Sequence, residues 1–466
     1  MVQADANLKR ILKPGRNVTD WGGMQKAGVK NVARPQTEAD LVETVKFAAR
    51  SDTKVSLRGS GHSAGGHSFC QDGLMIDLRD LNRVLELDQQ NKTVRVQAGA
   101  TWAVLTKILE PAGLAVTTKQ EFDTFTIGGS IACNVHGKSI DYGPIIENII
   151  SLRLLLADGE IVTVSRQENG ELFRAVVGGY GLLGIVVDVT LQLVDDRVIE
   201  KTEVVFMNLK PLLAAYIDRV RSDPENTPLC YGFIDPEGNQ GYYVTYKYVG
   251  DDRQYSLDQL KRDETNPTLF NVFIWLQRNF KFTRRRAFHL MWSGSNKPEV
   301  TLRSRRLLIW DVAPSAFQKL LFQKYFVPVD NFLPFMQKAG QILKKYEDDL
   351  PVLTNHFRFV PGNNEALLSF SPEDTICMIP CYLAKKNNRR WVAKLEQATD
   401  ELLNACLEQG GSYYLTFDII ASKEQLQQAY PRWDEFLALK NRCDPEGLFN
   451  SRFYEKYSEN MVPSQL

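Results

Sequence analysis

The residues best suited to chemistry lie together in Arg58-Gly59-Ser60-Gly61-His62-Ser63-Ala64-Gly65-Gly66-His67-Ser68. Four glycines within eight residues (59, 61, 65 and 66) leave little side chain and admit positive φ. Backbone of that kind lets N–H groups close on an anion, usually a phosphate. Gly59, Gly61 and Gly65 are the expected cradle, with Ser60 and Ser63 as hydroxyl donors; Arg58 and His62 complete the cofactor set. His62, mid-loop, can reach whatever ring system the phosphates carry, whereas His67 reads as a polar loop residue. The alternative is a tight, solvent-facing turn.

Two nearby patterns mimic a dinucleotide fingerprint, Gly59-x-Gly61-x-x-Ala64 and Gly179-x-Gly181-x-x-Gly184. The fingerprint works only when a helix opens behind the glycines and aims its N-terminus at the pyrophosphate. After Ala64 come two more glycines, and after Gly184 comes the β-branched run Ile185-Val-Val-Asp-Val-Thr-Leu. A nicotinamide-type Rossmann domain is therefore not expected. A second dense stretch, Thr126-Ile-Gly128-Gly129-Ser-Ile-Ala132-Cys133-Asn-Val-His136-Gly137-Lys138, crowds small residues ahead of a histidine and a lysine.

The elements that must position these loops are marked by apolar periodicity. Lys54-Val-Ser-Leu and Met75-Ile-Asp-Leu read as strands flanking the glycine loop. A helix is predicted after Arg34-Pro35, with Thr37 as cap and Leu41, Val45 and Ala48 as its buried stripe. Thr93–Gly99 reads as a strand, and Trp102–Leu109 as a helix closed by Pro111 and Gly113. Ile149–Leu156 and Glu160–Val164 read as strands around the hairpin turn Ala157-Asp-Gly159. Residues 1–20 read as a polar lead-in. The tail from Tyr430 reads as an amphipathic helix stopped by Asp444-Pro-Glu-Gly447.

At 466 residues two domains are the default, and 44% hydrophobic against 24% charged residues is ordinary for a globular core. Lys+Arg and Asp+Glu both number 56, so no net field draws the chain to nucleic acid. Seven cysteines without paired spacing favour free thiols, and five histidines without a Cys/His cluster disfavour a metal site. No signal peptide and no membrane-spanning run are read, so a cytoplasmic location is expected. The aromatic and basic segment Phe270–Trp292 is either a core helix with a solvated face or a peripheral membrane contact.

Taken together, Arg34-Pro35, the Arg58–Ser63 loop, Thr126–Gly129, Gly178–Gly184 and the closing Pro431-Arg-Trp-Asp434 with Asp444-Pro-Glu-Gly-Leu-Phe449 resemble flavin-linked oxidases and dehydrogenases of the vanillyl-alcohol-oxidase (PCMH-type) family. The resemblance runs over nearly the whole chain. It is nearest to the decaprenylphosphoryl-ribose oxidases, with sugar-lactone and alditol oxidases sharing the frame at lower similarity. It implies an α+β, two-domain PCMH-type FAD-binding fold with a central substrate domain on an antiparallel sheet. Residues 1–197 and 415–466 would form the FAD domain, and 198–414 the substrate domain. It also implies FAD held by Thr126, Gly128, Gly129, Ala132, Cys133, His136, Gly137, Gly184 and Ile185 besides the first loop. The activity implied is oxidation of a secondary alcohol of a sugar, polyol or glycosyl-lipid substrate, with a partner reductase if the chain is half of an epimerase.

His136, Lys138, Lys324, Arg358 and Cys377 are the substrate-side candidates on this resemblance. Either His136 or Lys138 would bind the sugar or take its proton, and Lys138 is otherwise a solvent-facing lysine. Lys324 is expected on a strand lining the substrate side, and Cys377 beside the flavin. His356 and Arg358 share a strand face, to meet substrate oxygens or to form an ion pair. Two departures stand out. His62 sits where covalent members attach the flavin, unlike the decaprenyl branch, and Phe417 replaces a lysine of that branch. The first suggests covalent FAD and a sugar-lactone-type cofactor link; the second supports, as a third reading, a catalytically degenerate flavin-binding protein.

Overall fold

The computed structural model describes residues 6–235, 238–250, 255, 260, 267–280, 283, 299–307, 320–417 and 420–458. Thr37 caps the helix Glu38–Arg50 by accepting from the Asp40 amide, and the Asp40 carboxylate accepts from the Thr37 N–H in return. Leu41, Val45 and Ala48 point from this helix into a core shared with Ile76 and Phe449. The strands that flank it, Asn31–Ala33 and Val55–Arg58, both pair in parallel with Leu74–Asp77 between them. Leu12–Pro14 closes this four-stranded sheet antiparallel to Asn31–Ala33. The glycine loop leaves the carboxyl end of Val55–Arg58, where open α/β sheets bind their ligands.

The predicted hairpin forms as Ile149–Leu155 and Ile161–Ser165, turning through Gly159 at φ +86°. It belongs to a five-stranded antiparallel sheet that continues through Ile185–Gln192, Thr93–Gln97 and Val84–Asp88. The predicted helix Trp102–Leu109 packs Trp102, Leu105 and Leu109 into the core beside it. The lead-in is not a simple polar tail. It holds the helix Ala6–Ile11 and the hairpin Asn17–Thr19 with Lys26–Gly28, because Leu8, Ile11 and Val18 bury their side chains.

The third layer is a nine-stranded antiparallel sheet drawn from residues 198–413. Its centre runs Gly241–Tyr248, Leu229–Ile234, Val352–Val360, Thr375–Leu383, and the helices Leu209–Ser222, Phe332–Lys345 and Arg389–Glu408 carry apolar stripes into the core around it. Lys138 O accepts from Cys230 N at 3.3 Å, and Ser139 forms a bridge to Leu229, so the small-residue segment runs straight onto this sheet. The tail helix Trp433–Cys443 is followed by a turn from Asp444 to Gly447, where Gly447 has φ +60°, after which Val55 N donates to Leu448 O at 2.7 Å. Both ends of the chain therefore meet at the sheet that carries the glycine loop.

Lys324 is not on a strand. Leu320–Phe322 and Tyr325–Pro328 pair with different stretches of Thr375–Leu383, and Lys324 lies in the break between them with its carbonyl accepting from Tyr414 N. Of the segment Phe270–Trp292, only residues 270–280 and 283 are among those described. There the helix Pro267–Asn279 buries Ile274 and leaves Val272 and Trp275 more than half exposed. Among the described residues no helix is long and apolar enough to cross a membrane.

Candidate active site

The three layers enclose a cleft of about 1660 Å³, open solvent at its mouth included. One wall is the glycine loop. Gly61 holds φ +74°, and a Cβ at Gly59 would stand 2.1 Å from Thr126 Oγ1, so both glycines are required by local geometry. Ser60 Oγ donates to Thr124 O at 2.5 Å and Ala64 N donates to Thr416 O at 2.9 Å, which ties the loop to its neighbours on both sides. The Ser60 hydroxyl and the Ala64 amide are thus both engaged with backbone.

His62 lies between the rings of Trp21 and Phe125, at 4.6 and 4.2 Å between centroids. Burial, reinforced by the Arg58 charge, pushes its pKa down to about 4, so the ring is neutral. Its Nδ1 is buried without a hydrogen-bond partner among the described residues. His67 also lines the cleft, stacked on Phe453 at 4.4 Å, and burial lowers its pKa to about 3.

The opposite wall is built by the sheet and the segment after Thr126. His136 Nε2 and Lys324 Nζ are 3.1 Å apart, within a cage of Phe326, Phe370 and Tyr414. Burial and then the Lys324 charge hold His136 well below the ordinary histidine range, and burial lowers Lys324 as well. A charged lysine there donates to Nε2, whereas an uncharged one can also accept from it, so the direction of this contact follows the protonation of the pair. Lys324 Nζ also stands 5.1 Å from the Tyr414 ring and 5.8 Å from that of Phe417.

His356 and Arg358 do share the cleft-facing side of their strand. Arg358 is 2% exposed, its pKa lowered to about 10 by burial, and it forms an ion pair with Glu121. His356 packs on Phe233 at 4.2 Å, and burial with Lys138 and Lys324 lowers it to about 3.

The structure does not bring every expected residue to the cleft. Lys138, 1% exposed, turns to the sheet, donating to Arg306 O at 3.1 Å and lying 4.8 Å from the Tyr231 ring. It is neither solvent-facing nor in the cleft lining. Cys377 is fully buried behind the wall, across from Arg358 and Phe326 in register, and burial drives its thiol up to about 12. Gly65, Gly137 and Ile185 back the lining without reaching it, whereas Arg58, Ser63, Gly128, Gly129, Ala132, Cys133 and Gly184 line it.

A model of the FAD binding domain matches residues 29–165, and one of D-arabinono-1,4-lactone oxidase matches residues 323–457. L-Gulonolactone oxidase of Mus musculus is 31% identical over 459 residues, covering 95% of this chain and 98% of that protein. The Bos taurus L-gulonolactone oxidase is 33% identical over 438 residues, covering 91% and 94%. L-Gulono-1,4-lactone dehydrogenase of Mycobacterium tuberculosis is 25% identical over 446 residues, covering 92% and 96%. The chain belongs to the PCMH-type family of FAD-linked oxidoreductases.

The residues of this FAD-linked oxidoreductase suit its cofactor on physical grounds. The glycines of the loop leave room for backbone to approach a phosphate, and His62, whose buried Nδ1 has no hydrogen-bond partner among the described residues, lines the cleft between two aromatic rings. Trp21, Glu121, Phe122, Tyr180 and Tyr414 line the cleft too and were not singled out from sequence. Glu121 and Arg358 are separated by 237 residues. Only the docking of two layers makes them neighbours, so no local pattern marks the pair.

Proposed function

We propose that this oxidoreductase oxidises a secondary alcohol of a sugar, polyol or glycosyl-lipid substrate. Bound in the cleft, FAD supplies at N5 the acceptor for the carbinol hydride. The observation that carries the reading is the His136–Lys324 contact of 3.1 Å on the cleft wall. Two cations that close repel, so the pair holds one proton between two nitrogens and titrates as a unit. With Lys324 lowered by burial, the uncharged pair forms below the ordinary lysine range and takes the carbinol proton. Arg358 orients a substrate oxygen through its guanidinium, and the Phe326–Phe370–Tyr414 cage excludes water from the proton transfer. The glycine loop and Arg58 hold the pyrophosphate, and His62, through Nδ1, is the group that would tether the flavin covalently.

The matched lactone-oxidase region spans Lys324 and Arg358, which favours, as the second reading, an aerobic sugar-lactone or alditol oxidase releasing hydrogen peroxide. The third reading, a catalytically degenerate flavin-binding protein, rests on Phe417, whose ring lies 5.8 Å from the Lys324 amino group. Anaerobic mixing with sugar-1,4-lactones, alditols and a glycosyl-phosphoryl lipid, read by loss of oxidised-flavin absorbance, tests the proposal. Bleaching by one class identifies it. A flavin that dithionite bleaches but no sugar does would refute an alcohol-oxidising function.

A further inference from the structure

We propose that Glu121 is a specificity-determining residue that restricts the cleft to uncharged sugars, an inference that rests on the function proposed above. The loop that carries it is pinned on both sides. The buried Lys119 pairs with Asp123, and Gln120 Oε1 accepts from Trp102 Nε1 at 3.0 Å and from Ser130 Oγ at 2.7 Å. Beyond Glu121, Thr124 O accepts from Ser60 Oγ at 2.5 Å. Between these anchors Glu121 is held towards the sheet, where its carboxylate meets the guanidinium of Arg358.

Charge decides what such a site accepts. Among the described residues lining the cleft, Arg58, Lys324 and Arg358 are the permanent cations or lysines, and Glu121 is the one carboxylate. Arg58 belongs to the phosphate loop, and Lys324 is occupied with His136. Arg358 is the cation that would otherwise hold a carboxylate or phosphate of the substrate, and Glu121 cancels it. An anion entering there meets the Glu121 carboxylate, and like charges placed together are strongly disfavoured. A neutral sugar finds both of its needs met. A hydroxyl donates to Glu121, and a ring or carbonyl oxygen accepts from Arg358. The loop thus favours a sugar lactone or polyol and disfavours an aldonate or a sugar phosphate.

The test uses one carbon skeleton in two charge states, a sugar-1,4-lactone and the open-chain aldonate made from it by mild alkaline hydrolysis. Binding is read from the perturbation of the oxidised-flavin spectrum of the holoprotein, and turnover is followed as separate KM and kcat. The wild-type protein should prefer the lactone by roughly 100-fold or more. Glu121→Gln should lose most of that preference by binding the aldonate more tightly, with the flavin still bound. Glu121→Asp, which keeps the charge, should retain the preference and so separates charge from loop damage. A lactone-to-aldonate ratio in Glu121→Gln within twofold of wild type would overturn the proposal. So would a wild-type protein that binds aldonate as well as lactone, even if both bleach the flavin. If neither ligand perturbs the wild-type flavin, the functional reading itself fails and Glu121 falls with it.

Discussion

Replacing His356 with glutamine should make the protein more acid-resistant, by an amount the structure allows to be worked out. His356 is 7% exposed, and burial with the charges of Lys138 and Lys324 lowers it from 6.5 to about 3. Only the unfolded chain takes up its proton once pH falls below 6.5, so its contribution falls with pH from there down to about 3. At pH 5 the loss is about 2 kcal/mol, one and a half pH units at about 1.36 kcal/mol each. His67, lowered to about 3 by burial, contributes a similar loss. The buried carboxyls of Asp20, Asp141 and Asp196 act in the opposite sense. Desolvation raises each to about 6, so the folded protein takes their protons first and gains stability as pH falls from about 6 towards 3.8. Each adds about 1.4 kcal/mol at pH 5, but His62 and His136, lowered by burial as well, add losses of the same kind as His356 and His67, so the wild-type protein should still lose stability between pH 8 and pH 5. His356→Gln leaves the carboxyls in place and removes one histidine. Urea denaturation of both holoproteins at fixed ionic strength should therefore show the variant gaining about 2 kcal/mol on wild type between pH 8 and pH 5. Stabilities that run parallel across that range would mean that His356 protonates in the folded state and that the burial argument is wrong.

Two further outcomes follow from the cleft. Lys324→Met should keep flavin binding but slow flavin reduction by sugar roughly 10²–10⁴-fold, and it should abolish the rising alkaline limb of the rate profile that the lowered Lys324 produces in wild type; a stopped-flow pH series in which that limb survives would remove Lys324 from the proton-holding pair. Acid precipitation should carry the yellow colour into the pellet for wild type and release it in His62→Ala, and colour released from wild type would show that His62 holds the flavin without a bond.

Local chemistry was legible in the sequence wherever neighbours along the chain decide the outcome. The cap at Thr37, the stripe Leu41–Val45–Ala48, the turn at Gly159 and the Asp444–Gly447 stop all formed as read, because each depends on residues within one turn of each other. The glycine loop was legible for the same reason, since Gly61 needs positive φ whatever packs against it. The lead-in was misjudged because its three buried apolar side chains are spread through a polar context that only tertiary packing sorts. Lys324 and Lys138 show the limit more sharply. The first was expected on a strand and lies in a break between two, yet reaches His136; the second was expected at the substrate or in solvent and turns away to the Arg306 carbonyl.

Sequence by itself therefore determined the glycine loop, the family frame and the order of the elements. Which cations face the cleft, and that Glu121 meets Arg358, was decided only by tertiary docking. The physical reason is range. Backbone conformation and capping are set by contacts a few residues apart, whereas burial, charge pairing and the pKa values they impose depend on groups brought together from distant parts of the chain.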